Sequence, residues 1–116
     1  MRGNPKIPVL RMHEIGDPSV LPSVVQGYEE RISANEKEGL FRVVYVSAAT
    51  HCGINAAESA AAVETLLRRL DTGKWESTDP EAMNQRAASL GAGAPPRFTT
   101  MDKFRQVKYN RVWIPE

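Results

Sequence analysis

The chain alternates apolar runs with breaker-rich turns in an order that reads as strand, loop, helix, strand, loop, helix, helix. The run Ile7-Pro8-Val9-Leu10-Arg11-Met12 predicts a short buried strand, with Pro8 confined to its first residues. Glu14 to Pro18 is turn chemistry around Gly16-Asp17-Pro18. Ser23 and Gln26 have the spacing of a capping box after Pro22, and Val24, Tyr28 and Ile32 recur as one helical apolar face. The polar stretch 35–39 ends that helix. Leu40 to Val46, rich in β-branched and aromatic residues, predicts the second strand, and Ser47 to Ile54 a loop. Asn55 and Glu58 form another cap-like pair that opens an alanine-rich helix running to about Leu70. Its apolar stripe is expected along Val63, Leu66, Leu67 and Leu70, and Thr72-Gly73 closes it. Asp79-Pro80 starts a third helix that carries Met83, Ala87 and Leu90 inward and stops at Gly91.

This pattern divides the chain into residues 1–91, a partial α/β domain, and residues 92–116, a linker followed by an aromatic and basic tail that packs on a partner or on the core. Two strands joined by a helix form a βαβ unit, expected to be a parallel, right-handed crossover. Both strands read as apolar on both faces, as in the interior of a parallel sheet. A two-stranded sheet is a poor one, so the fold class is α/β, a βαβα portion of a sheet that a partner chain completes.

At 116 residues the chain fits one small domain, and fifteen Lys and Arg against fourteen Asp and Glu leave a formal net charge of +1. That balance argues against nucleic acid or an acidic membrane as the main partner. No apolar stretch approaches the roughly 20 residues of a membrane span. The basic start, Met1 to Lys6, lacks the apolar segment of a secretory signal, and nothing in the sequence fixes a compartment. Cys52 is the single cysteine, which rules out an internal disulfide and a cysteine-rich zinc site.

Candidate chemistry centres on two loops. Asp17 and His51 each lie just past a predicted strand, where ligands gather in α/β sheets. A carboxylate that accepts the ring N–H of a histidine fixes its tautomer and raises its basicity, which supplies two members of a nucleophile triad. Other groupings are weaker. His13, Glu14 and Asp17 lack a second ligand pattern and read as a solvated turn, so no metal and no cofactor is expected. Glu29-Glu30 and Glu36 with Glu38 read as solvated faces. Cys52 adjoins His51, but neighbouring side chains in a loop rarely reach attack geometry. Packing under the loop, or bridging to another chain, suits Cys52 better. Arg97, Lys103, Arg105, Lys108 and Arg111 with Phe104, Tyr109 and Trp113 could stack bases, yet packing across a subunit boundary fits those aromatics better.

Several short motifs share one order: Pro8-Val9-Leu10, Gly16-Asp17-Pro18, Tyr28, Thr50-His51-Cys52, Ala57-Glu58, and Arg69-Leu70-Asp71-Thr72-Gly73-Lys74-Trp75. Asp79-Pro80 to Leu90-Gly91 and Arg97-Phe98 extend it. In this order and spacing, over roughly residues 5–98, the chain resembles the C-terminal part of a serine α/β hydrolase of the esterase/acyl-peptidase type. The resemblance implies Asp17 as the triad acid and His51 as the general base. It departs at Thr50, where that family commonly has glycine. No Gly-x-Ser-x-Gly nucleophile elbow and no glycine-rich oxyanion loop occur in the sequence.

The expectation is therefore a small subunit of a split or processed serine hydrolase. A partner polypeptide would carry the Ser nucleophile and the oxyanion hole, and the substrate would be a small-molecule or peptide ester, amide or lactone. Acyl transfer would use the same residues. The competing class is a non-catalytic interaction module derived from a hydrolase.

Overall fold

The computed structural model describes residues 2–91 and 93–103. The tail residues Phe104, Arg105, Lys108, Tyr109, Arg111 and Trp113 lie outside them. The elements follow as β1 (Val9–Glu14), α1 (Pro22–Ala34), β2 (Phe41–Val46), α2 (Ala56–Thr72), α3 (Pro80–Ser89) and β3 (Phe98–Thr99). This is a small α/β unit whose sheet, among the described residues, has three strands in the order β1-β2-β3. β1 and β2 pair in parallel from Val9↔Phe41 to Glu14↔Val46, and β3 joins antiparallel through Tyr45↔Thr99 and Val46↔Phe98.

β1 begins and ends two residues later than its apolar run suggests. Pro8 has no N–H to give a ladder, and Ile7 is left exposed. At the other end His13 and Glu14 continue the pairing and are buried. The solvated turn expected there is therefore strand, and β1 is not apolar on both faces.

Strand alternation distributes the layers. Val44 and Val46 of β2 face a core made with Ala57 and Ala61 of α2, Met83 and Ala87 of α3, and Phe98, with Leu10 and Met12 of β1 against it. Phe41 and Tyr45 serve α1: Tyr28 meets Phe41 edge-on at 5.3 Å between ring centroids, and the Tyr45 hydroxyl donates to Glu29. Phe98 fastens the chain beyond the 91–96 breakers, because burying such a ring stabilises by roughly 1.5–3 kcal/mol.

Two helices rotate away from their expected faces. In α1 the N-cap is Leu21, which has no side-chain cap, so the Ser23–Gln26 box does not form. Pro22 takes the first turn, and Val25 and Ile32 are buried while Val24 is exposed. In α2 the Asn55–Glu58 capping box forms as its spacing predicts, with both reciprocal bonds present. The inward face, however, is Ala57, Glu58, Ala61, Ala62 and Thr65, while Val63, Leu67 and Leu70 are each more than half exposed. The pairing of the buried Glu58 with the partly exposed Arg97, at 2.9 Å, goes with that rotation, and alanines let the helix lie close to the sheet. α3 starts on an Asp79 side-chain cap with Pro80 following, as expected, and buries Met83 and Ala87 but not Leu90.

Candidate active site

Both predicted site residues sit past the carboxyl ends of the parallel strands, and the structure brings them together. After Glu14 and Val46 the two loops stay laced: the Ile15 N–H donates to the Val46 carbonyl at 3.0 Å and the Gly16 N–H to the Ala48 carbonyl at 2.9 Å. Gly16 is required here by proximity, since a Cβ would stand 2.8 Å from the Ala49 Cα. Gly16→Ala is expected to destabilise the protein by about 1–3 kcal/mol, as overpacking does, and to move the Asp17 loop off the His51 loop. Thermal unfolding checks the first effect; an unchanged melting temperature would mean that the loops can slide.

Asp17 turns its carboxylate back onto its own loop. Oδ1 accepts from the Ser19 and Val20 N–H groups at 2.8 and 2.9 Å, and the carboxylate accepts from His51 Nδ1 at 2.9–3.0 Å. The Val20 N–H, then His51 and the Ser19 N–H, outweigh burial and hold the Asp17 pKa at about 2, below its ordinary 3.8. The sign of the linkage follows. A depressed carboxylate contributes stability that is fully present above the unfolded value near 4 and is lost as pH falls towards 2. Acid titration of wild type against Asp17→Asn is expected to show a pH-dependent stability difference that shrinks through that window. A pH-independent difference would mean that Asp17 acts through shape alone.

Asp17 is 6% exposed and the His51 side chain 49%. With an ionised carboxylate at Nδ1, that nitrogen carries the proton and Nε2 is left as the acceptor. Among the described residues Nε2 has no hydrogen-bond partner. It shares a cleft of about 210 Å³, at the β1 edge of the sheet, with Arg11, Met12, Cys52 and Ile54. Ligand pockets usually measure roughly 300–1,000 Å³, so this cleft by itself is too small for one.

Three buried polar residues brace the loops, and the sequence pattern had not marked any of them for that role. His13 Nε2 donates to the Val20 carbonyl at 2.9 Å and steadies the Asp17 loop from beneath. Glu14, 3% exposed, accepts from the Thr50 hydroxyl at 2.6 Å and from the Gly53 N–H. Glu58, fully buried, accepts from the Arg97 backbone and guanidinium at 2.9–3.0 Å, and Arg97 also donates to the Gly53 carbonyl at 2.8 Å. Burial pushes the Glu58 carboxyl up, and Arg97 with the Asn55 N–H more than offsets it, so it lies below the usual range. The signal that could have found Glu14 is its place one strand residue ahead of the acid loop, beside a threonine in the His loop.

Among the described residues no group of three or more His, Cys, Asp or Glu side chains is placed to hold a metal ion, and no helix is long and apolar enough to cross a membrane. Cys52 is exposed, with a left-handed backbone at φ 65°, so it does not pack under its loop.

Comparison with known proteins adds one relative. The chain is 45% identical over 114 residues to a protein named o-phthalyl amidase from Xanthobacter agilis. The match covers 98% of this chain and 25% of that amidase. No family model matches the chain, and no solved structure matches it. The chain therefore spans about a quarter of the length of the curated relative it matches, and that relative is named as a hydrolase.

Proposed function

We propose that these residues form the acid-and-base portion of a serine α/β hydrolase, with Asp17 as the triad acid and His51 as the general base. The Ser nucleophile and oxyanion donors come from polypeptide outside these 116 residues, in a split or processed assembly. The observation that carries this reading is the hydrogen bond from a half-exposed imidazole to a buried carboxylate, made between the ends of adjacent parallel strands. The edge position of β1 supports it as well. Sheets usually have roughly four to six strands, this one has three among the described residues, and the small cleft beside His51 opens at the β1 edge.

In this chemistry the lone pair of His51 Nε2 takes the proton from the serine hydroxyl as its oxygen bonds to the acyl carbon. The imidazolium then gives that proton to the leaving group, and water repeats the sequence to release the acid. Asp17 keeps the ring in the Nδ1–H tautomer and stabilises the imidazolium. The substrate is an ester, amide or lactone, and the amidase name of the relative favours an amide. Acyl transfer would use the same steps with an acceptor other than water.

The test is fluorophosphonate labelling of the chain in its native assembly, followed by mass spectrometry. The expected result is a labelled serine outside these residues, with labelling abolished by His51→Ala. An assembly that takes no label would remove the enzyme reading and leave a non-catalytic interaction module.

A further inference from the structure

We propose that Glu14 is the positioning residue for the His51 loop: its buried carboxylate clamps the residues on either side of His51 and Cys52 and so aims Nδ1 at Asp17. The proposal rests on the reading of His51 as general base. The imidazole is half exposed, so packing alone does not fix it. What holds it is its flanks. Thr50, immediately before His51, donates its hydroxyl to Glu14 Oε2 at 2.6 Å, and Gly53, two residues after, donates its N–H to Oε1.

A buried carboxylate is costly unless donors satisfy it. The side-chain and backbone donors that Glu14 finds both belong to the His loop, so strand and loop require each other. Asp17 differs, because two of its donors come from its own turn. The Gly53 peptide is held from both sides, its N–H by Glu14 and its carbonyl by Arg97. Cys52, between the two Glu14 donors Thr50 and Gly53, has a left-handed backbone at φ 65°. A Cβ on Gly53 would collide with the Thr50 hydroxyl, so the clamp also requires glycine there. Thr50, which departs from the family's usual glycine, becomes a functional part of the loop in this arrangement.

Three variants in the native assembly test the clamp. Thr50→Val keeps the shape and removes the donor. Thr50→Ser keeps the donor. Glu14→Gln keeps the shape but turns an amide N–H₂ towards one of the two donors. Misplacing a catalytic group by about 1 Å costs about 100-fold. Thr50→Val and Glu14→Gln are therefore expected to lower kcat by roughly 10–100-fold with KM nearly unchanged, and Thr50→Ser to retain activity.

Nitrogen NMR of His51 gives a readout that a merely structural role would not move. The wild type is expected to hold the Nδ1–H tautomer, and Thr50→Val and Glu14→Gln to relax towards the mixture of a free imidazole. A lowered melting temperature with kcat and the His51 tautomer unchanged would overturn the proposal. If His51→Ala left turnover intact, the catalytic reading would fail, and the tautomer measurement would still decide whether Glu14 positions His51. If Glu14→Gln does not fold, the Thr50 pair carries the same comparison.

Discussion

Replacing His51 with alanine in the native assembly is expected to lower turnover by at least about a thousandfold, with assembly preserved. The two halves of this expectation have separate physical origins. In the proposed chemistry the Nε2 lone pair moves the proton, and the other titratable groups lining the cleft are engaged elsewhere or away from Asp17. His13 Nε2 holds the Val20 carbonyl, Glu14 holds Thr50 and Gly53, and neither Cys52 nor Arg11 pairs with Asp17. The half-exposed ring contributes little to the core, so its removal leaves the sheet intact.

Asp17→Asn should cost comparably for a different reason. An amide N–H₂ facing Nδ1 forces the opposite tautomer and puts a proton on the nitrogen that the proposal makes the base. Asparagine also keeps an oxygen for the Ser19 and Val20 N–H groups, so the loop should survive. Steady-state kinetics with an activated ester or anilide, alongside native mass spectrometry, checks both variants. Unchanged turnover in His51→Ala would end the triad assignment. Full activity in Asp17→Asn alone would mean that another group orients the ring.

The largest stability effect is expected at Arg97. Arg97→Ala leaves the fully buried Glu58 carboxylate with two backbone N–H donors, those of residues 55 and 97, and no counter-charge. Breaking a wholly buried pair costs about 3–5 kcal/mol. Arg97 is itself partly solvated, which lowers the expectation to about 2–3 kcal/mol. In a domain of this size that is a large share of the total stability and lowers Tm by roughly 10 °C.

Glu58→Gln should cost less. Glutamine preserves the capping box with Asn55, and the partly exposed guanidinium keeps water and the Gly53 carbonyl as acceptors. Thermal unfolding of the two variants side by side makes the comparison. Equal losses would mean that the lost ion pair carries the whole effect and that stranding the Glu58 charge adds nothing. Because Arg97 also holds the Gly53 carbonyl, Arg97→Ala should loosen the His loop, whereas Glu58→Gln should leave that contact in place.

The order of the first two strands and three helices, the parallel pairing of those strands and the loops that carry Asp17 and His51 are legible in the sequence alone. These are local matters. Strand propensity, Pro22 and Pro80 at helix starts, and the Asn55–Glu58 box are all set within a few residues, and their spacing is legible without a fold. The tertiary structure decided which face of each helix turns inward. Periodicity finds an apolar stripe at Val63, Leu67 and Leu70, but it cannot foresee that Glu58 will bury itself against Arg97, 39 residues away, and carry a face of alanines to the sheet. It also decided that Phe98 closes the core and pairs with Val46. Above all it turned His13 and Glu14 from an apparent solvated turn into buried braces beneath the two loops. A polar residue at a strand's end reads the same whether water or a neighbouring loop satisfies it, and only the approach of Thr50, Gly53 and Val20 makes burial affordable.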